Sequence, residues 1–91
     1  MRFEWDEAKS RRCLESRGFD FIFAARVFKD ESRITIKDKR HDYDENRYVT
    51  YGNINSRLFC IAFAIRNGAI RIISARKAIE REIRAYGHVS L

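Results

Sequence analysis

The spacing of apolar positions divides the chain into short blocks of differing period. "RFEW" reads as a short strand. Asp6 then caps a helix, because its carboxylate accepts from the free amides of a first turn, and Trp5 beside it staples the entry. That helix covers "EAKSRRCLESR" and stops at Gly18, where a left-handed residue costs glycine nothing. Asp20 caps a second helix, in which Phe21, Ala24, Ala25 and Phe28 recur at i, i+3, i+4 and i+7, an apolar stripe for a core. "RITIK" alternates as a short, charged edge strand with Ile34 and Ile36 on one face. "DKRHDYDE" is the most hydrophilic stretch and reads as a loop.

Strand "NRYVTYG" follows, "NINS" turns the chain, and the near-continuous apolar run "RLFCIAFAI" suits a central strand. Asn67-Gly68 signals a two-residue hairpin, since both central positions of a type I′ turn need positive φ, and it leads into "AIRIISA". A last helix starts at Arg76 or Lys77, runs to about Tyr86 while burying Ile79, Ile83 and Tyr86, and ends at Gly87. The order β-α-α-β-β-β-β-α predicts an α+β fold, an antiparallel sheet packed by helices.

Length and composition refine this picture. Ninety-one residues fit a single domain that buries roughly 60–65% of its unfolded surface. With 45% hydrophobic and 13% aromatic residues the chain lies above the disordered range despite 35% charged residues. No apolar run approaches a membrane span or a signal-peptide core, so a cytoplasmic protein without membrane contact is expected. Cys13 and Cys60 read as reduced thiols rather than a disulfide. Asp38, His41, Asp42, Asp44 and Glu45 fit neither an EF-hand nor a zinc spacing, so neither metal nor cofactor is expected. His41 has a suitable unperturbed pKa for proton transfer but sits in a solvated loop, and His88 lies near a frayed end.

Nineteen Lys plus Arg against thirteen Asp plus Glu leave a net charge of +6. Such a balance attracts polyanions, nucleic acid first among them, although it equally suits a surface that is merely solvated.

"FEWDEAK", a Gly-terminated first helix before a Phe-led second, Arg47 and Gly52 in "RYVTYG", and S-x-R-x-A-x-x-x-E over Ser74, Arg76, Ala78 and Glu82 together resemble the BrnT toxins of bacterial type II toxin–antitoxin systems. The resemblance spans nearly the whole chain. It implies a RelE-like fold and an endoribonuclease that arrests translation. It also implies neutralisation by a BrnA-type antitoxin with a ribbon-helix-helix domain, in a complex, expected to be a heterotetramer, that binds promoter DNA through the antitoxin. Where the family usually carries N-x-x-K-H-G at the end of its first helix, this chain has "CLESRG". Cys13 thus replaces Asn and Arg17 replaces His, and an arginine holds a phosphate but does not act as a general base at neutral pH.

A metal-free ribonuclease must help a 2′-hydroxyl attack the adjacent phosphate, stabilise charge growing on the phosphate oxygens and protonate the leaving 5′ oxygen. Arginine suits the second task, because its planar fork meets two oxygens and stays charged. The catalytic candidates are Arg76 at the end of a core strand, Arg47, Lys9 and Glu82. Arg71, Ser74, Arg17 and Tyr86 are candidates for holding RNA. Simple alternation places Ile70, Ile72, Ser74 and Arg76 on one side of the last strand and Arg71, Ile73 and Ala75 on the other.

Each candidate has a plainer alternative. Arg76 pairs with Glu80, Lys9 is a surface lysine, Glu82 is either a proton acceptor or, the favoured role, the ionic partner that orients Arg76 or Arg47, and Tyr86 belongs to the core. The Arg76 head group is expected to be exposed at the strand end, so Arg76→Ala should remove toxicity with little loss of stability. A non-catalytic basic module binding RNA or DNA, with Tyr43, Tyr48 and Tyr51 as stacking platforms, is the alternative function. An interaction subunit for an acidic protein is a third.

Overall fold

A computed structural model describes residues 1–39 and 45–87. His41, Asp42, Tyr43, Asp44 and His88 lie outside the described residues. The elements are β1 (Phe3–Trp5), α1 (Glu7–Arg17), α2 (Phe21–Ala24), β2 (Ile34–Lys37), β3 (Arg47–Ile54), β4 (Arg57–Arg66), β5 (Ala69–Lys77) and α3 (Glu80–Tyr86). A tighter 3₁₀ turn over Ala25–Lys29 continues α2. This is the α+β order that the sequence predicts. The five strands form one mixed sheet in the order β1-β5-β4-β3-β2, antiparallel except where β1 runs parallel to β5.

Local chemistry fixes most boundaries. Asp6 accepts from the amides of Ala8 and Lys9, and Gly18 closes α1 at φ 86°. Trp5 stacks edge-on against Phe21 and donates its indole N–H to Glu7, which ties β1 to the start of α1. Asp20 caps α2 through Phe23 N–H. Asn67 and Gly68, at φ 51° and 77°, make the expected hairpin. The turn before β4 is shorter than "NINS" suggests: β3 continues through Ile54, and only Asn55 and Ser56, at φ 51° and 67°, reverse the chain. Positive φ at two non-glycine residues is uncommon, and the sequence carries no glycine there to announce it.

One face of the sheet receives α1, α2 and the 3₁₀ turn. Phe59, Ile61 and Phe63 of β4 meet Cys13, Phe19, Phe21, Ala24, Val27 and Phe28 there, with Ile54, Ile72 and Ala75 closing the same cluster. Phe19 and Phe63 pack edge-on against Phe59 and Phe28 respectively, contacts worth about 0.5–1.5 kcal/mol each beyond simple burial. Gly52 lets the 3₁₀ turn press onto β3, since a Cβ there would lie 2.7 Å from Val27 Cγ2 and 3.1 Å from Arg33 Cβ.

Two expectations need correction. β5 does not alternate simply, because a bulge at Ile73 lets Phe63 pair with Ile72 while Ala62 pairs with Ser74. Ile70, Ile72 and Ala75 therefore serve the helix-covered face, and Arg71, Ser74 and Arg76 share the opposite one. The last helix starts later, at Glu80, and its orientation is reversed. Ile79 and Ile83 are 50% and 39% exposed, whereas Glu82 is buried.

Candidate active site

The second face of the sheet has a narrow floor, Ala62 and Ala64 of β4, flanked in register by charged and hydroxyl-bearing residues. One cross-strand row holds Arg47, Ala64 and Arg71, another Val49, Ala62 and Ser74, and a third Tyr51, Cys60 and Arg76. α3 lies over the last row and brings Glu82 and Tyr86 onto it.

Glu82 is the centre of that row. Arg76 donates from both guanidinium nitrogens, Nη1 to Oε1 at 2.8 Å and Nη2 to Oε2 at 2.9 Å. The Tyr51 hydroxyl donates to Oε2 at 3.1 Å, and Ile79 N–H donates to Oε1 at 2.9 Å. The last bond is half of a capping box, in which the third residue of a helix reaches back to the amide that precedes it. Four donors on one buried carboxylate keep it ionised. The paired hydrogen bonds from Arg76, with smaller help from Ile79 and Tyr51, lower its pKa to about 2 against the burial that would raise it. Burial, Cys60 and Glu82 push the Tyr51 phenol well above its ordinary range, and Glu82 holds the Arg76 guanidinium more firmly protonated still. Tyr86 stacks on Tyr51 with centroids 4.4 Å apart.

The row is thus a fixed guanidinium with 40% of its side chain exposed, seated on a carboxylate that is 8% exposed. It answers the choice posed for Arg76 and Glu82. Arg76 pairs with Glu82 rather than Glu80, which instead meets Arg84, and Glu82 is the ionic partner. The head group of Arg76 is not free, so the expectation that its truncation costs little stability does not fit this geometry. Tyr86 is half-buried with its ring on Tyr51, between the core and RNA-facing readings.

The other candidates divide by location. Arg71 pairs with Glu4 at 3.6 Å, and Arg47 lies 3.9 Å from Glu45, which also takes Arg66. Ser74 is exposed on the same face. Lys9 and Arg17 belong elsewhere: they stand on α1, at the outer edge of β5, in a cleft with Arg12, Cys13, Ser16 and Ser74. Cys13 and Arg17, the two departures from the family pattern, both donate to Ala75 O, at 3.6 and 3.3 Å. Tyr48 is not an open platform, since its ring stacks on Phe63, and Tyr51 lies beneath Tyr86. Sequence reasoning missed Tyr51 and Cys60 as members of the Arg76 row, because only the β3–β4–β5 register brings them together. No cluster of His, Cys, Asp and Glu fit to hold a metal occurs among the described residues, nor among them a helix long and apolar enough to cross a membrane.

The open face thus carries Arg47, Arg71 and Arg76 in register, the last anchored on a buried carboxylate under α3. Residues 5–82 match the model of the BrnT family, ribonuclease toxins of type II toxin–antitoxin systems. The chain belongs to that family, whose system type supplies an antitoxin partner. No curated protein matches it.

Proposed function

We propose that the open sheet face is where this toxin cuts RNA, as a metal-independent endoribonuclease centred on Arg76. The observation that carries the reading is the bidentate seat of Arg76 on buried Glu82. A guanidinium held from behind at two points has lost most of its rotamer freedom before substrate arrives, so its outward N–H groups meet phosphate oxygens at little further entropic cost. The RNA 2′-oxygen attacks the adjacent phosphorus as its proton passes to water, the bond to the 5′ oxygen breaks as that oxygen takes a proton from water, and the products are a 2′,3′-cyclic phosphate and a 5′-hydroxyl. Arg76 offsets the charge that grows on the non-bridging oxygens. Glu82 does not accept the 2′-proton, because a carboxylate so acidic and fully occupied is a poor base. It is a positioning residue. Arg47, Arg71 and Ser74 line the path of the strand, and Tyr86 borders it.

The antitoxin on this reading is a ribbon-helix-helix protein of the BrnA type, dimerising to a heterotetramer that binds promoter DNA and acts in the cytoplasm to relieve translation arrest. The exposed Ile79, which precedes α3, and Ile83 within it, beside cationic Lys77, Arg81 and Arg84, suit an acidic, partly apolar segment that would cover Arg76 as well.

Purified chain on a defined RNA with and without chelator tests the reaction. Cleavage should persist in chelator and leave cyclic phosphate ends. Cleavage lost in chelator and restored by magnesium would refute the mechanism. Glu82→Gln should lower kcat far more than it raises KM, as should Arg76→Lys, which keeps the charge and loses the fork.

A further inference from the structure

The arginines of the open sheet face are all ion-paired, Arg47 and Arg66 with Glu45, Arg71 with Glu4 and Arg76 with Glu82. The α1 cleft is different. Lys9, Arg12 and Arg17 line it together, and none of them forms an ion pair among the described residues.

The sequence builds this cluster by helical period. Lys9, Arg12, Cys13, Ser16 and Arg17 stand at i, i+3, i+4, i+7 and i+8, the stripe that an ordinary amphipathic helix fills with apolar side chains. Here only Ser10 and Cys13 of α1 are buried. The stripe faces a part of β5 that lacks a strand neighbour on its outer side, since β1 pairs with Ile70, Arg71 and Ile72 and no further. Arg17 Nη1 and Cys13 Sγ satisfy the Ala75 carbonyl on that edge, which fixes the Arg17 side chain and leaves its other N–H groups for a ligand. About 160 Å³ of open space remains between helix and strand.

The bulge at Ile73 connects this cleft to the sheet face. It puts Ser74 opposite Ala62, in the row next to Arg76, while Ser74 also lines the α1 cleft. A strand lying along the arginine face therefore reaches the cleft by crossing β5 at a residue that carries a small hydroxyl.

We propose that the cleft between α1 and the free edge of β5 is a second phosphate site for single-stranded RNA, in which Lys9, Arg12 and Arg17 hold the backbone of nucleotides flanking the one at Arg76. The proposal rests on the ribonuclease reading for the identity of its ligand. It makes Lys9 and Arg17 binding groups and adds Arg12, which sequence reasoning passed over. Unpaired cations suit the task, because a phosphate need not displace a carboxylate and the released counterions favour binding.

The test uses a single-stranded 2′-O-methyl RNA, which binds but offers no nucleophile for cleavage, with anisotropy read between 50 and 200 mM salt. Each phosphate contact on a single strand contributes about 0.7 to the slope of log K against log salt. Lys9→Gln/Arg12→Gln/Arg17→Gln should flatten that slope by about 2, so that the parent loses roughly 20-fold more affinity across this range than the variant. Lys9→Gln/Arg12→Gln, which keeps the Arg17 tether, should flatten it by about 1.4. A charge-matched control, Arg11→Gln/Arg26→Gln/Lys29→Gln, should leave it near that of the parent.

An unchanged slope in folded triple and double variants, or an equal change in the control, overturns the proposal. So does a triple variant that binds RNA normally and loses only its antitoxin. Failure of the cleavage mechanism is told apart readily, because it would alter reaction products while leaving this slope difference in place.

Discussion

Arg76→Ala separates a structural role from a chemical one. The substitution removes both guanidinium bonds from Glu82 and leaves a buried carboxylate with Tyr51 and Ile79 as its donors. Breaking a buried ion pair by deleting one partner typically costs about 3–5 kcal/mol. Here 40% of the Arg76 side chain is exposed, so water screens the pair and partly replaces the lost donors, and about 2 kcal/mol is the better figure. For a domain of this size that corresponds to a Tm roughly 10 °C lower. The carboxyl's fall from 4.5 to about 2 corresponds to about 3.5 kcal/mol at ~1.4 kcal/mol per tenfold change in proton affinity, a net figure that burial reduces and that Arg76 shares with Ile79 and Tyr51.

The pH dependence gives a second reading. Between about 2 and 4.5 the unfolded chain binds the Glu82 proton and the folded chain does not, so the stabilisation is complete above this window and is lost as pH falls through it. Removing Arg76 takes away the largest cause of the low value. The gap between parent and variant, widest at pH 7, should therefore narrow at pH 3. Urea unfolding at both values measures it. A variant as stable as the parent at pH 7, or a gap unchanged at pH 3, would show that Arg76 is not what holds the buried Glu82 carboxylate ionised.

Three further outcomes are expected. Gly52→Ala should lose about 1–3 kcal/mol in urea unfolding, because its Cβ would meet Val27 Cγ2 at 2.7 Å; an unaltered midpoint would mean that the 3₁₀ turn yields freely. Ser56→Gly should gain about 0.5–1 kcal/mol by relieving φ 67° in the β3–β4 turn, and a loss would contradict the strain assigned there. Co-purified antitoxin should abolish RNA cleavage, with added salt slowing assembly more than it speeds dissociation; a complex still active on RNA would place the antitoxin away from Arg76.

How far the sequence reveals this molecule depends on the range of each signal. Asp6, Gly18, Asp20 and Asn67-Gly68 act within a few residues, and their turns and caps are legible without tertiary knowledge. Asn55-Ser56 acts as locally but uses two residues that carry weak turn signals. The bulge at Ile73 is invisible to alternation, because an inserted residue shifts the face of everything beyond it and only the partner strand records the shift. α3 misleads for a different reason. Ile79 and Ile83 repeat with a core period, yet the helix lies over a polar sheet face, where Glu82 gains more from four donors than an isoleucine gains from burial. The motif Ser74-x-Arg76-x-Ala78-x-x-x-Glu82 does contain the Arg76–Glu82 pair. What it lacks is Tyr51, which depends on strand register, and the separation of Lys9 and Arg17 from Arg76, which depends on the two faces of β5.

The parallel pairing of β1 with β5 also constrains the order in which the molecule assembles. β3, β4 and β5 form a meander of tight hairpins, with contacts close in sequence and quick to close. β1 is synthesised first but has no partner until β5 exists, and its three-residue ladder must then close the longest loop in the fold. α3 comes later still, so Arg76 leaves the ribosome before the carboxylate that seats it. A nascent chain can thus hold a complete meander and an exposed, unseated Arg76. On the proposed mechanism, competence to cut RNA arrives with α3, after all the strands have been made.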